Sequence, residues 1–307
     1  MKTVKDFNFK NKKAIIRVDF NVPLNANFEV TDATRIQAAK PTIIEILEQG
    51  GSCVLMSHLG RPKGFQDAFS LRHIVKSIEA IIGCNVKFIA DCIGEKVEEA
   101  VANLEAGEIL LLENLRFYEE EKKGEIAFAE KLSKFGDIYV NDAFGTAHRA
   151  HASTTIIAQF FEGNKCFGNL LAREIESIDK VLNNSEKPVL AILGGAKVSS
   201  KITVIENILD KVDHLIIGGG MSFTFVKALG GKIGNSICED DKMELALDIL
   251  KQAKAKGVEI HIPVDVIAAD DFSNDANTQI LDINEIPDGW EGVDAGPKSR
   301  EIFDTVV

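Results

Sequence analysis

Pro188 to Lys201 reads PVLAILGGAKVSSK and places two lysines behind a Gly-Gly turn. The apolar run over 189–193 predicts a short strand buried on both faces, and Gly194-Gly195 breaks it before a helical pattern over 198–209. In open α/β sheets ligands bind at the carboxyl ends of strands. There glycines let a bound group approach the backbone, and the next helix offers unpaired N–H groups and a positive dipole to an anion. Lys197 and Lys201 are four residues apart, so on a helix they share one face. That arrangement suits a phosphate, and equally the solvated face of an ordinary helix. It is not a Walker A loop, because G-x-x-x-x-G-K-[ST] is absent.

A second set of polar residues stands where the strands of the first half end. Arg17-Val18-Asp19-Phe20-Asn21 closes one apolar run, Ser57-His58-Leu59-Gly60-Arg61 another, Asn114-Leu115-Arg116 a third and Asn141-Asp142 through His148-Arg149 a fourth. Arg35 stands early in the first helical pattern. Taken singly, Asp19 could cap a turn, His58 and Arg61 could be loop polars, and each arginine could pair on the surface. Together, guanidinium forks converging on one sheet edge would bind a small polyanion at two points each. His148 and His151 could suggest a metal pair, but no cysteine or carboxylate spacing completes a zinc site and no metal is expected there. No nucleophile elbow is present.

The elements that must position these residues follow βαβ grammar. Strands are expected at 14–18, 53–56, 86–89, 109–112 and 138–140, with helices at 35–49 (kinked or restarted at Pro41), 71–82 (capped by Ser70, closed by Gly83), 96–104 and 126–135. A helix over 172–182, ended by Asn183-Asn184-Ser185, separates the halves. The second half continues with strands at 214–217, 259–262 and 280–283 and helices at 222–229 and 241–256, with Gly218-Gly219-Gly220 again at a strand end. The expectation is a parallel α/β fold of two domains, 1–170 and 186–307, with residues 171–185 as the linking helix and hinge.

The 307 residues carry a net charge of -12, 45% hydrophobic and 27% charged residues, which describes a soluble globular protein and argues against general affinity for nucleic acid or anionic membrane. Neither an apolar leader nor a membrane-length run occurs, so a cytoplasmic location is expected. Five scattered cysteines without C-x-x-C suit reduced, buried thiols.

RVDFNVP, SHLGRP, LLENLRF, NDAFGTAHRAHAS, LGGAKVSSK and IIGGGMSFTF, in this order, resemble the phosphoglycerate kinase family along the whole chain. The resemblance implies two Rossmann-like domains facing across a cleft and phosphoryl transfer between 1,3-bisphosphoglycerate and ADP, giving 3-phosphoglycerate and MgATP. It implies an acid-substrate site at Asp19, Asn21, Arg35, His58, Leu59, Gly60, Arg61, Arg116 and Arg149. On the nucleotide side it implies Gly195, Lys201, Gly218, Gly219, Gly220 and Gly296, with Lys197 following the transferring phosphoryl and Arg35 facing it. A monomer is expected. Gly218-Gly219-Gly220 could alternatively suggest a nicotinamide site, but Phe223 stands where G-x-G-x-x-G needs its last glycine.

The family continues past the position of Val307 with a Trp-Asn-Gly-Pro segment, a ribose-binding glutamate and a Gly-Gly-Asp loop whose aspartate contacts magnesium. By the resemblance, the 307-residue chain alone is expected to bind the acid better than the nucleotide, to turn over poorly or not at all, and to leave a strand edge of its second sheet unpaired; the alternative reading is an inactive fragment that binds 3-phosphoglycerate but lacks a complete nucleotide site.

Overall fold

Apolar runs with no polar alternation need cover on both faces, and in the first half they get it. The computed structural model describes residues 1–183 and 185–307. The chain divides into two units, Met1–Ser177 and Ile178–Val307. In the first, strands β1 (Lys13–Val18), β2 (Ser52–Met56), β3 (Val86–Phe88), β4 (Ile109–Leu111), β5 (Ile138–Asp142) and β6 (Lys165–Phe167) form one sheet in the order β3-β4-β2-β1-β5-β6. Every neighbouring pair is parallel.

Successive side chains leave opposite faces of this sheet. Ile16, Leu55 and Val140 join a core with Ile36, Ile43 and Ile46 of α1 (Thr34–Glu48) and Ile78 of α2 (Val75–Ile82). Ile15, Val54 and Tyr139 join a second core with Val97 of α3 (Glu95–Ala102) and, beyond the short α4 (Glu119–Lys123), Phe128 and Leu132 of α5 (Ile126–Ser133). Burial of each such isoleucine or leucine contributes about 2 kcal/mol, so the two cores pin the register of every strand.

Several elements depart from expectation. α1 runs unbroken through Pro41, because Ile36, Ile43 and Ile46 seat both halves of the helix on the sheet. Ser70 does cap, its Oγ accepting from the Arg72 amide at 3.3 Å, but what it opens is a 3₁₀ turn, Leu71–Ile74, ahead of α2. Gly83 closes α2 in the left-handed conformation at φ 92°. β6, which was not expected, comes after the four-residue helix α6 (Phe144–Ala147). The long helix α7 (Asn169–Asn183) contains the division between units; Asn184, expected to help end it, lies outside the described residues.

In the second unit β7 (Leu190–Gly194), β8 (His214–Gly218) and β10 (Glu259–His261) form a parallel sheet in the order β10-β8-β7. Val198, Ile205 of α8 (Ile202–Ile208), Phe225 of α9 (Met221–Ala228) and Ile249 of α10 (Met243–Lys256) pack against Leu215 and Ile217. The expectation that β7 is buried on both faces fails: it is an edge strand in the described sheet and Ile192 is 63% exposed. An unbroken apolar run cannot by itself distinguish these cases.

The helix expected from Val198 begins only at Ile202. Ser199 turns its amide and hydroxyl to Glu239, at 2.9 and 2.5 Å, and the Ser200 hydroxyl donates to the Lys197 carbonyl at 2.9 Å, so local side-chain bonds displace the first helical turn. Lys197 and Lys201 therefore do not share a helical face.

Beyond the short pair β9 (Lys232–Ile233) and β13 (Glu285–Ile286), strands β11 (Asp265–Ala269), β12 (Thr278–Asp282) and β14 (Glu291–Ala295) make an antiparallel sheet, and α11 (Pro297–Val306) follows. Among the described residues no helix is long and apolar enough to cross a membrane.

At Gly168 an added Cβ would lie 2.3 Å from Cγ of the buried Asp142 at the end of β5. Gly168→Ala should therefore destabilise the first unit by roughly 1–3 kcal/mol, read as a lower urea midpoint at unchanged slope. An unchanged midpoint would contradict this packing.

Candidate functional site

β1, β2, β4 and β5 are the four central strands of the first sheet, and their carboxyl ends release the loops that carry its polar residues. Asp19, Asn21, Arg35, His58, Gly60, Arg61, Gly145, Thr146, Arg116 and Arg149 line one cavity of about 250 Å³ there. Four guanidinium groups thus face the single carboxylate of Asp19 among its lining residues. Asp19 pairs with Nη1 of Arg35. The remaining positive charge has no carboxylate among the lining residues to neutralise it, which makes the cavity a receptor for an anion of more than one charge.

Each loop is fixed from behind. Asn21 Oδ1 accepts from the Gly60 amide at 2.8 Å, and Arg116 Nη1 donates to the Gly60 carbonyl at 2.7 Å, so the loop after β2 is held by residues following β1 and β4. Buried Asn114 accepts from the Leu59 amide at 3.2 Å and from the Arg116 amide at 3.1 Å, and donates to the carbonyls of Leu59 and Phe69, both at 2.8 Å. Leu59 itself does not line the cavity; it is 3% exposed and joins the core on the α1 side.

His58 packs against Arg17, a fully buried residue of β1 that stands among the strand-end polar residues of the sequence. Arg17 Nη2 lies 3.1 Å from His58 Nδ1 and Nε donates to Ser153 Oγ at 2.9 Å; Ser153 in turn donates to the buried Glu121 at 2.6 Å. A guanidinium can only donate, so Nδ1 of His58 is an acceptor and the ring proton sits on Nε2. Burial first, and the Arg17 charge next, push the His58 pKa down to about 2. His58 is therefore a neutral hydrogen-bond donor throughout the physiological range. Burial first, and then the charges of Arg17 and Arg149, also lower the Arg116 pKa from its ordinary value.

Gly145 and Thr146 line the cavity without having been singled out. A Cβ on Gly145 would stand 3.0 Å from Asp19 Oδ2. His148 does not line the cavity, but its Nε2 accepts from Arg149 Nε at 3.2 Å. His151 is buried, with Nδ1 unbonded 3.8 Å from Glu121.

In the second unit, the ends of β7 and β8 bring Gly195, Gly218, Gly219 and Gly220 together. Gly219 adopts φ 67°, and a Cβ there would lie 3.1 Å from the Gly195 amide nitrogen. The Met221 amide donates to the Gly195 carbonyl at 2.7 Å, and Lys201 Cε would be 3.8 Å from a Cβ on Gly195. Two loop backbones and one lysine side chain thus meet at a strand end, the geometry that lets a phosphate approach main-chain N–H groups. Gly296 sits at the head of α11, where Asp265 accepts from the Lys298 and Ser299 amides and leaves only 2.3 Å for a Cβ.

These features define the class: a parallel α/β protein whose strand ends carry a polyanion cavity in one unit and a glycine-lined backbone turn with a lysine in the other. The family model described as phosphoglycerate kinase matches residues 4–307. A phosphoglycerate kinase of Porphyromonas gingivalis is 50% identical over 99% of this chain and 79% of its own length, and a cytosolic one of Nicotiana tabacum 48% identical over 99% and 76%. Phosphoglycerate kinase structures from Coxiella burnetii (37% identity, TM-score 0.81, 99% of this chain and 76% of that one) and Pyrococcus horikoshii (28%, 0.83, 100% and 78%) share the fold. The chain belongs to the phosphoglycerate kinase family.

The burial of His58 has a consequence for stability. Between its folded pKa of about 2 and its ordinary 6.5, the unfolded chain binds a proton that the folded chain refuses, so stability is fully present above 6.5 and falls below it. Asp142, raised to about 6 by burial, acts in the opposite sense between 3.8 and 6. Comparing wild type with His58→Gln cancels that second effect. The wild type's stability relative to the variant should drop by about 2 kcal/mol from pH 7 to pH 5 in urea titrations. A pH-independent difference would mean that the folded ring takes up its proton as readily as the unfolded one.

Proposed function

We propose that this chain carries out the chemistry of its family: reversible phosphoryl transfer from 1,3-bisphosphoglycerate to ADP, giving 3-phosphoglycerate and ATP, a step of glycolysis. The observation that supports this most directly is the convergence of Arg35, Arg61, Arg116 and Arg149 with neutral His58 on one small cavity at the carboxyl edge of a parallel sheet. Phosphoglycerate presents a phosphate and a carboxylate a short carbon chain apart, and guanidinium forks match both groups.

On this reading residues 1–170 hold the acid, through Asp19, Asn21, Arg35, His58, Gly60, Arg61, Arg116 and Arg149, with Leu59 supporting the loop through its backbone bonds to Asn114. Residues 186–307 hold the nucleotide. Gly195 and Gly218 to Gly220 admit it to the backbone, Lys201 meets its phosphates, and Gly296 belongs to the same side. Residues 171–185 serve as the hinge. The ordinary habitat of such an enzyme is the cytoplasm, the location stated for the tobacco relative, and we expect a monomer.

Arg35, Lys197 and Lys201 are assigned to the transferring group itself. Its transition state is loose, with charge spread over the equatorial oxygens, so positioning and positive charge do most of the work. The attacking group, a carboxylate or a nucleotide phosphate oxygen, is already ionised at neutral pH, and no general base is needed. Magnesium enters with the nucleotide as part of the substrate. Among the described residues the three-residue cluster of possible metal donors is His214, Glu259 and His261, whose nitrogen-rich character does not suit magnesium.

Two outcomes follow. Arg116→Ala should weaken 3-phosphoglycerate binding by about ten- to a hundredfold in calorimetry, the loss of one charge-assisted contact; unchanged affinity would remove the anion from this cavity. Lys197→Ala should lower kcat much more than it raises KM, and a change confined to KM would reassign Lys197 to ground-state binding.

A further inference from the structure

At the opposite end of β8 from its glycines stands a cluster that the proposed reaction does not use. β8 and β10 pair in parallel with Glu259 opposite His214, and His261 lies two residues beyond Glu259 on the same face. One face of two adjacent strands therefore offers imidazole, carboxylate and imidazole. His214 Nδ1 is 3.2 Å from His261 Nε2 and 3.4 Å from Glu259 Oε2, and His261 Nε2 is 3.9 Å from the same oxygen. The ligands of a tetrahedral zinc ion, bound at about 2.0–2.1 Å, stand roughly 3.3 Å apart, so these three atoms already span one face of that tetrahedron.

We propose that His214, Glu259 and His261 form a binding site for a borderline divalent cation, Zn²⁺ in the first instance, that clamps the amino end of β8 to β10. A direct hydrogen bond between the facing ring nitrogens needs a proton on one of them. With both protons on the remote nitrogens, Nε2 of His214 and Nδ1 of His261, two lone pairs point at one spot beside a carboxylate oxygen, and a cation satisfies all three. The side chain of His261 is 11% exposed and that of His214 30%, which fixes two ligands against the sheet, while Glu259 at 66% keeps an open side for water as the fourth ligand. No hydrogen bond among the described residues orients the remote ring nitrogens, so the affinity should be moderate. Along the strand His214 stands four residues and His261, opposite Ile216, two residues before Gly218, roughly 13 and 7 Å, so the ion acts first on the stability of the sheet.

The experiment titrates the 307-residue chain with ZnCl₂ in a calorimeter and follows its thermal unfolding with and without the ion. One equivalent should bind with a Kd on the order of micromolar and raise Tm, and His214→Gln and His261→Asn should each weaken binding about tenfold or more and abolish the rise in Tm. Glu259→Gln, on an exposed side chain that folding does not need, should weaken binding about tenfold. Co²⁺ substitution provides an independent readout, giving d–d bands without thiolate charge transfer. The proposal is overturned by absence of binding, by equal affinity in wild type and the three variants, or by a thiolate band that puts the ion on cysteine.

Discussion

Like charges must be held together against their repulsion, and the first unit is built around that constraint. Arg35, Arg61, Arg116 and Arg149 open onto one cavity while Arg17 lies buried just behind it. At the effective dielectric of a protein surface two unit charges a few ångströms apart repel by several kcal/mol, so flexible loops would let the arginines splay apart. The loops are prevented from doing so by leaving the ends of β1, β2, β4 and β5, whose residues are sealed into two cores on either face of the sheet. The hydrophobic energy of the sheet is what holds the charge cluster in place.

Between core and cavity lies a layer of buried, hydrogen-bonded polar groups. Glu113 accepts from Ser70 Oγ at 2.6 Å and from the Leu71 amide at 2.8 Å, Asn114 binds three loop residues, and Glu121 accepts twice from Ser153. Such a layer is costly when half satisfied and rigid when complete. Here nearly every member has its partner; Asp142 Oδ2 and His151 Nδ1 are the exceptions among the described side chains. Burial raises the Asp142 pKa to about 6, and its unbonded oxygen leaves part of that cost uncompensated.

Much of this could be read from residue order alone, for definite reasons. Parallel strands buried on both faces announce themselves as apolar runs, and arginines placed just after several such runs are brought to one edge by the topology itself. Hence the convergence of arginines on that edge was nameable from the sequence; the resemblance to the family narrowed it to Asp19, Asn21, Arg35, His58, Gly60, Arg61, Arg116 and Arg149, and the structure gathers these on one cavity. What was not legible depended on contacts between distant segments. Arg17 stands among the strand-end polar residues in the sequence, but its place behind His58 shows only when Ser153 and His58 are seen beside it, and the inward turn of the Leu59 side chain shows only in the fold. The start of α8 was misplaced because serines at 199 and 200 bond to Glu239 and to the Lys197 carbonyl, a competition invisible to periodicity. Strand β14 was missed because its residues are mostly polar or exposed, and β11 because behind Asp265 it offers an apolar run of only four residues, too short for periodicity to assign.

The neutrality of His58 connects the architecture to the proposed chemistry. A protonated imidazole beside four arginines would add a fifth charge and make the cavity's affinity for anions vary with pH around neutrality. Burial prevents this first, and Arg17 next, by occupying Nδ1 as a donor and by disfavouring a second positive charge. What remains is a field set by guanidinium groups, together with one neutral N–H donor of defined tautomer. A reaction that moves a phosphoryl group without a general base needs such a field, constant over the pH range in which its substrates stay ionised, and a histidine kept out of acid–base work is then consistent with a site that stabilises charge without transferring protons.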